Sequence, residues 1–402
     1  MSTKKLQKPE KLVIVQPSPF CNLDCKYCYL PNREDSKIMG MNTVKSIAQI
    51  LFNSTVLKEG FTIVWHAGEP LSVGTAFYEK AFGIIKDANV ENVPVKHSFQ
   101  TNATLINQKW CDFFKTNSVR IGVSVDGPAF LHDSSRVYRN GNGTFNAVMR
   151  GIQYLKSNAV DFGTITVLRR DSLDYPDEIW KFFVDNDLKH VAFNPEEAEG
   201  VHKISTLNKL EFEEKYKTFF SRILELWLNS TRVIDVREID QSLDRILNKL
   251  FSDGTATSST ENQPLGIINF DFEGNVSTFS PELLTSIHKQ LGTLSYGNIS
   301  NITKVEDILK DLKFGLVNSE VSSGIEKCRT SCDYFSVCGG GAPSNKLTEH
   351  GSFDTTETSA CRIKIKATVD AVTETLMRMD KDDFNILVEE RLGHEYNRYI
   401  RN

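Results

Sequence analysis

Six short apolar runs recur along the first half of the chain, and segments of helical period separate them. "KLVIVQ" (11–16), "FTIVWHAGEP" (61–70), "VKHSFQTNAT" (95–104), "VRIGVSVDG" (119–127), "DFGTITVL" (161–168) and "LKHVAFNP" (188–195) are rich in β-branched and aromatic residues. Each closes in turn-forming residues, which predicts buried strands. Between them, "MNTVKSIAQILFNSTVLK" (41–58) and "FNAVMRGIQYLKSNAV" (145–160) repeat their apolar residues at helical spacing. Parallel neighbours need a crossover connection, and crossover helices cover the sheet, so the alternation demands an α/β fold with a parallel sheet. Six units predict a partial (β/α)6 barrel of the TIM type, with reactive residues gathered at the C-terminal strand ends.

Beyond the sixth strand, "LNKLEFEEKYKTFFSRILELWLN" (207–229) and "REIDQSLDRILNKLF" (237–251) read as helices. The Gly/Ser/Thr-rich stretch 252–266 is a linker by composition. "IINFDFEGNVSTFSP" (267–281) reads as a hairpin turning at Glu273–Gly274–Asn275. The expected organisation is a barrel over 11–235 and a helical bridge and linker over 236–266. A small cysteine-bearing domain follows over 267–375, then a helical tail over 376–402.

Net charge is −5, which offers nothing to a nucleic acid. No apolar run reaches signal-peptide or membrane-spanning length, so a cytoplasmic protein without membrane partners is expected. In that compartment the eight cysteines are metal ligands or reactive thiols rather than disulfides. Seven form two groups: Cys21, Cys25 and Cys28, then Cys328, Cys332, Cys338 and Cys361. Cys111, alone in "QKWCDFFK", reads as a buried helix residue.

Three thiols in "PFCNLDCKYCYLP" (19–31), with no fourth beside them, suit a cubane cluster in which one iron keeps an exchangeable position. A zinc knuckle borrowing a distant His, or three unrelated core cysteines, are the competing readings. C-x3-C-x2-C after the first strand of such a barrel resembles the radical S-adenosylmethionine (SAM) superfamily, in which the open iron of a [4Fe–4S] cluster binds SAM. Electron transfer to SAM then releases a 5′-deoxyadenosyl radical that abstracts hydrogen, the chemistry residing in the cofactor. "HAGEP" (66–70) resembles that family's G-G-E-P, and "QTNAT" (100–104), "SVDGP" (124–128) and "HDSSRVYRNGNGTF" (132–145) resemble stretches lining its SAM pocket. The resemblance implies Gly68, Glu69, Asn102, Ser124, Asp126 and Arg136 as SAM contacts.

"CRTSCDYFSVCGGGAPSNK" (328–346) and Cys361 suit a complete four-thiolate site, and composition does not separate [4Fe–4S] from zinc there. The group resembles the SPASM extension of radical SAM peptide maturases, which in full form carries seven cysteines and two auxiliary clusters. "GNVSTFSPELL" (274–284) lacks the upstream cysteine and Gly-Gly-Gly-Ala stands where another would follow Cys338, which implies one auxiliary [4Fe–4S] cluster. "FNPEEAEG" (193–200), "VSTFSPELL" (276–284) and residues 332–361 resemble the maturases that form cyclophanes in ribosomally made peptides. That resemblance implies a precursor peptide as substrate and an electron donor such as flavodoxin or ferredoxin. A peptide laid across the barrel mouth could add to an exposed sheet edge. With ten residues before the first strand, the leader is expected to be read by the 201–266 region or by a separate partner. Rearomatisation needs a base within hydrogen-bond reach, and Glu197, Asp271 and Glu282 are the candidates, with Glu196 and Glu199 beside them. The alternatives are an anaerobic sulfatase maturase, which in the family uses the full seven-cysteine extension, a thioether-forming maturase, and a non-catalytic iron–sulfur or zinc protein that binds peptides.

Overall fold

The six apolar runs become six parallel strands in sequence order in a computed structural model that describes residues 11–251 and 259–392. They are β1 (Lys11–Val15), β2 (Phe61–Trp65), β3 (Val95–Thr101), β4 (Arg120–Ser124), β5 (Phe162–Leu168) and β6 (His190–Pro195). Register runs without slip from Lys11 opposite Phe61 to Leu168 opposite Pro195. The crossovers carry α1 (Met41–Phe52), α2 (Thr75–Ala88), α3 (Gln108–Thr116), α4 (Phe145–Ser157) and α5 (Pro176–Asp185). Val44, Ile47, Ala48 and Leu51 of α1 and Val148, Gly151, Ile152 and Leu155 of α4 are buried at helical spacing, the stripe that packs such helices onto a sheet. Trp65, Tyr78, Phe99, Trp110 and Phe114 form the aromatic centre of this layer, with Tyr78 and Phe99 4.6 Å apart edge to face. Cys111 of α3 is fully buried there.

After β6 come α6 (Glu211–Leu228), the two-residue strand β7 (Asp235–Val236) beside β6, and α7 (Arg237–Phe251). The expected linker lies partly outside the described residues (252–258); its remainder, 259–266, includes a helical turn at Thr260–Asn262. The hairpin forms as β8 (Ile267–Phe270) and β9 (Asn275–Thr278), Phe270 opposite Val276. Its first strand also pairs parallel to β1, Leu12 opposite Ile267 through Val15 opposite Phe270. The barrel sheet is thereby extended to ten strands on the side away from β2, with Gly297–Asn298 at its far edge.

The C-terminal part is helical: α8 (Leu312–Ser331), α9 (Pro343–His350) and α10 (Thr368–Arg378), the last packing on α6 and α7. A π-helical turn, Arg362–Ala367, leads into α10. No helix among the described residues is long and apolar enough to cross a membrane.

Candidate active site

The loop after β1 carries the first three thiols over the C-terminal end of the sheet and is tied there by backbone bonds. Cys21 N–H donates to Arg33 O (3.0 Å), Asp24 N–H to Val137 O (2.8 Å) and Lys26 N–H to Ser135 O (3.0 Å). Arg139 Nη2 donates to Cys21 O (2.9 Å). From below, Glu69 N–H donates to Phe20 O at 2.7 Å. Gly68, at φ +76°, makes that approach possible: a Cβ there would stand 2.5 Å from Ser18 O and 2.6 Å from Phe20 O. Ala67, in place of the family's first glycine, also takes a left-handed conformation (φ +67°), at a cost of about 1–2 kcal/mol.

Cys21, Cys25 and Cys28 open into a cavity of about 340 Å³, within the range of small-molecule sites of about 300–1,000 Å³. Gly68, Glu69, Asn102, Ser124 and Arg136 line the same space. Glu69 is buried, accepting from Leu71 N–H (3.0 Å), Thr101 Oγ1 (2.7 Å) and Asn102 N–H (2.8 Å). Burial nonetheless pushes its pKa up to about 7. Three donors leave its two oxygens an unfilled lone-pair site, which suits an incoming ammonium group. Asn102 Nδ2 donates to Asn22 Oδ1 at 2.9 Å and lies 3.9 Å from Cys21 Sγ. Ser124 accepts from Gln100 Nε2 at 3.1 Å.

Asp126 is the exception among the six expected contacts. It is absent from the cavity wall, and its carboxylate is already engaged by Tyr27 OH (2.5 Å), Val167 N–H (3.0 Å) and Arg136 Nε (3.1 Å). Its place in the fold is behind Arg136. Burial opposes the guanidinium charge, but Asp126 and the neighbouring Tyr27 hold it.

The opposite wall is acidic. Glu196, Glu197, Glu199 and Glu282 line it, as does Glu261 from the turn before β8. Glu196 faces inward to Thr206 N–H (2.8 Å) and His202 Nε2 (3.1 Å), so it braces its own loop. Glu197 meets Asn345 Nδ2 (2.9 Å) and Lys364 Nζ (3.7 Å), joining the barrel to the C-terminal part. Burial, then repulsion from Glu282 and Glu197, raises the Glu199 pKa. Burial, with Glu261 and Glu197 nearby, pushes Glu282 up to about 7. Asp271, the third expected base, lies elsewhere. It caps the β8–β9 turn, accepting from Glu273 N–H and Asn275 N–H (2.9 Å each) and Asn275 Nδ2 (2.7 Å). Glu261, Asn345 and Lys364 are wall residues that sequence reasoning missed. Asn345 lay inside the stretch 328–346 already singled out for its thiols, and Lys364 stands three residues after Cys361.

Cys328, Cys332, Cys338 and Cys361 line a second cavity of about 150 Å³ with Lys346 and Lys366. Gly339, Gly340 and Gly341 all have positive φ, a run that bends the backbone around Cys338. Hydrogen bonding from Cys361, and from Gly340 and Gly341 N–H against the effect of burial, lowers the Cys338 pKa to about 6. Ala342 lines both cavities, so the two thiol sites share a wall.

A sequence profile of the Radical SAM superfamily matches residues 15–183, the span that carries the thiol loop and every strand end just described up to β5. The chain is 42% identical over 372 residues to an uncharacterised protein of Synechocystis sp., covering 92% of each. The chain belongs to the radical SAM superfamily. It is also similar to the cysteine-type anaerobic sulfatase-maturating enzyme of Clostridium novyi, 28% identical over 353 residues, 84% of this chain and 89% of that one. Among solved structures it shares its fold with native anSMEcpe bound to AdoMet and the Cp18Cys peptide, at TM-score 0.75 and 22% identity over 92% of this chain and 98% of that one.

A radical SAM enzyme uses a [4Fe–4S] cluster and SAM, and the residues present fit both. Among the described residues no three His, Cys, Asp or Glu donors stand close enough for one metal ion. Among the described residues His66 Nδ1 and Tyr29 OH are buried at this cavity with no hydrogen-bond partner, as polar groups that meet a ligand are. Burial holds His66 neutral, its pKa down at about 4.

Proposed function

We propose that this radical SAM enzyme oxidises a side chain of a peptide or protein substrate at Cβ, after the manner of the anaerobic sulfatase-maturating enzymes it is similar to. The observation that carries the reading is the single cavity joining the three thiols of the β1 loop to the acidic wall closed by Asn345 and Lys364. Cys21, Cys25 and Cys28 would hold the SAM-binding cluster, and Gly68, Glu69, Asn102, Ser124 and Arg136 would hold SAM. Cys328, Cys332, Cys338 and Cys361 would hold one auxiliary [4Fe–4S] cluster. When bound, the first group supplies a 5′-deoxyadenosyl radical that abstracts hydrogen, and the second an electron acceptor.

The remaining work falls to the chain. Glu282 takes the proton that leaves the substrate; its pKa of about 7 suits a base at neutral pH. Glu197 is held by Asn345 and Lys364 and shapes the wall. Tyr29 presents a buried hydroxyl to the same space. A low-potential flavodoxin or ferredoxin is the electron donor on this reading.

Cyclophane formation in a ribosomally made precursor peptide is the second reading, favoured by the absence of cysteine from residues 274–284, where the seven-cysteine extension would have one. Peptides deuterated at Cβ of Cys, Ser or an aliphatic residue two places from an aromatic one separate the two. Deuterium recovered in 5′-deoxyadenosine, with a product aldehyde trapped by a hydrazide, supports the maturase reading. Loss of two hydrogens with no aldehyde and a carbon–carbon crosslink supports the cyclophane. Failure of every peptide to transfer deuterium contradicts both.

A further inference from the structure

Lys346, in α9, is 4% exposed. Gly324 of α8 leaves the gap its ammonium occupies: a Cβ there would stand 3.1 Å from Lys346 Nζ. Among the described residues the hydrogen-bond partner of that ammonium is Cys328 Sγ, at 3.6 Å. Asp354, the acid it influences, lies beyond ion-pair distance and is paired with Lys327 at 2.9 Å. The other lysine of the same cavity, Lys366, is neutralised by Glu357.

A buried ammonium is expensive unless negative charge sits beside it. Protonated thiols supply none. Four thiolates on an iron–sulfur centre supply more negative charge than the centre neutralises, and adding an electron increases it. A fixed positive charge at this distance therefore favours the reduced state over the oxidised one. The Gly340 and Gly341 amides aimed at Cys338 act in the same direction. Asn262 Nδ2 fixes that turn through Gly339 O (2.8 Å) and Gly341 O (3.2 Å).

We infer that Lys346 is a positioning residue of the second thiol site, its buried ammonium raising the reduction potential of the centre held by Cys328, Cys332, Cys338 and Cys361 so that this centre accepts an electron from the neighbouring cavity. The inference rests on the cluster reading of that site. Electron paramagnetic resonance during a potentiometric titration tests it, on the full chain loaded with iron and sulfide and with Cys21, Cys25 and Cys28 changed to Ala to leave one centre visible. Lys346→Met lowers the equilibrium constant for reduction at least tenfold, about 59 mV for a one-electron couple, and Lys346→Arg stays near the parent. Should Lys346→Met load no iron, Lys346→Gln keeps a polar donor without the charge and reads the same shift. A cluster present with its potential unmoved in the neutral variants overturns the inference alone. Zinc, or no reducible centre, in the parent overturns the cluster reading with it.

Discussion

At position 68 the backbone of the thiol loop passes so close that only hydrogen fits, and the φ of +76° adds a second reason for glycine. Gly68→Ala is expected to cost about 1–3 kcal/mol locally and, by lifting the Ser18–Phe20 backbone, to reduce iron bound at the first site. Iron per chain and thermal melting check it; unchanged iron content would show that the loop does not rest on Gly68. Glu282 makes a different prediction. Glu282→Gln should lower product formation about 10²–10⁴-fold while 5′-deoxyadenosine release continues, since the substitution removes a proton acceptor without touching the thiols. In the parent, activity should rise with pH through about 7 as Glu282 ionises. The stability sign is opposite: a carboxyl whose folded pKa is raised stabilises the fold below its ordinary value near 4.5 and loses that contribution as pH climbs through about 7. Denaturation of the iron-free chain across that window, flattened in Glu282→Gln, checks the sign.

Among the elements, the six barrel strands were legible as short β-branched and aromatic runs closed by turn residues, and two of the crossover helices, within 41–58 and 145–160, by their 3.6-residue stripe. The hairpin was legible from Gly274. Its pairing with β1 was not: Ile267–Phe270 finds Leu12–Val15 across more than half the chain, and strand period carries no information about a distant partner. The same limit explains Asp271 and Asp126. An acid at a turn and an acid at a strand end look alike in sequence, whereas hydrogen bonding to Asn275 and pairing with Arg136 are set by folding. Asp271→Ala should therefore cost about 1 kcal/mol of hairpin stability, as loss of a cap does, and leave the rate of product formation unchanged. Equal losses in rate and stability would return Asp271 to the chemistry.

Over the whole molecule, both thiol groups were readable from spacing, since soft donors so close together in sequence suit a shared metal centre. What spacing hid is their adjacency. The C-terminal part delivers Ala342, Asn345 and Lys364 to the barrel mouth, so the acidic wall is completed by residues more than 140 positions from Glu197. Every proposed step depends on the β1 loop holding an iron cluster with one open corner. The direct measurement is 5′-deoxyadenosine release from SAM by the anaerobically loaded, dithionite-reduced chain, beside Cys25→Ala. Release by the parent and none above background by the variant is expected. Release by the variant at the parent's rate, or none by an iron-replete parent, would contradict it.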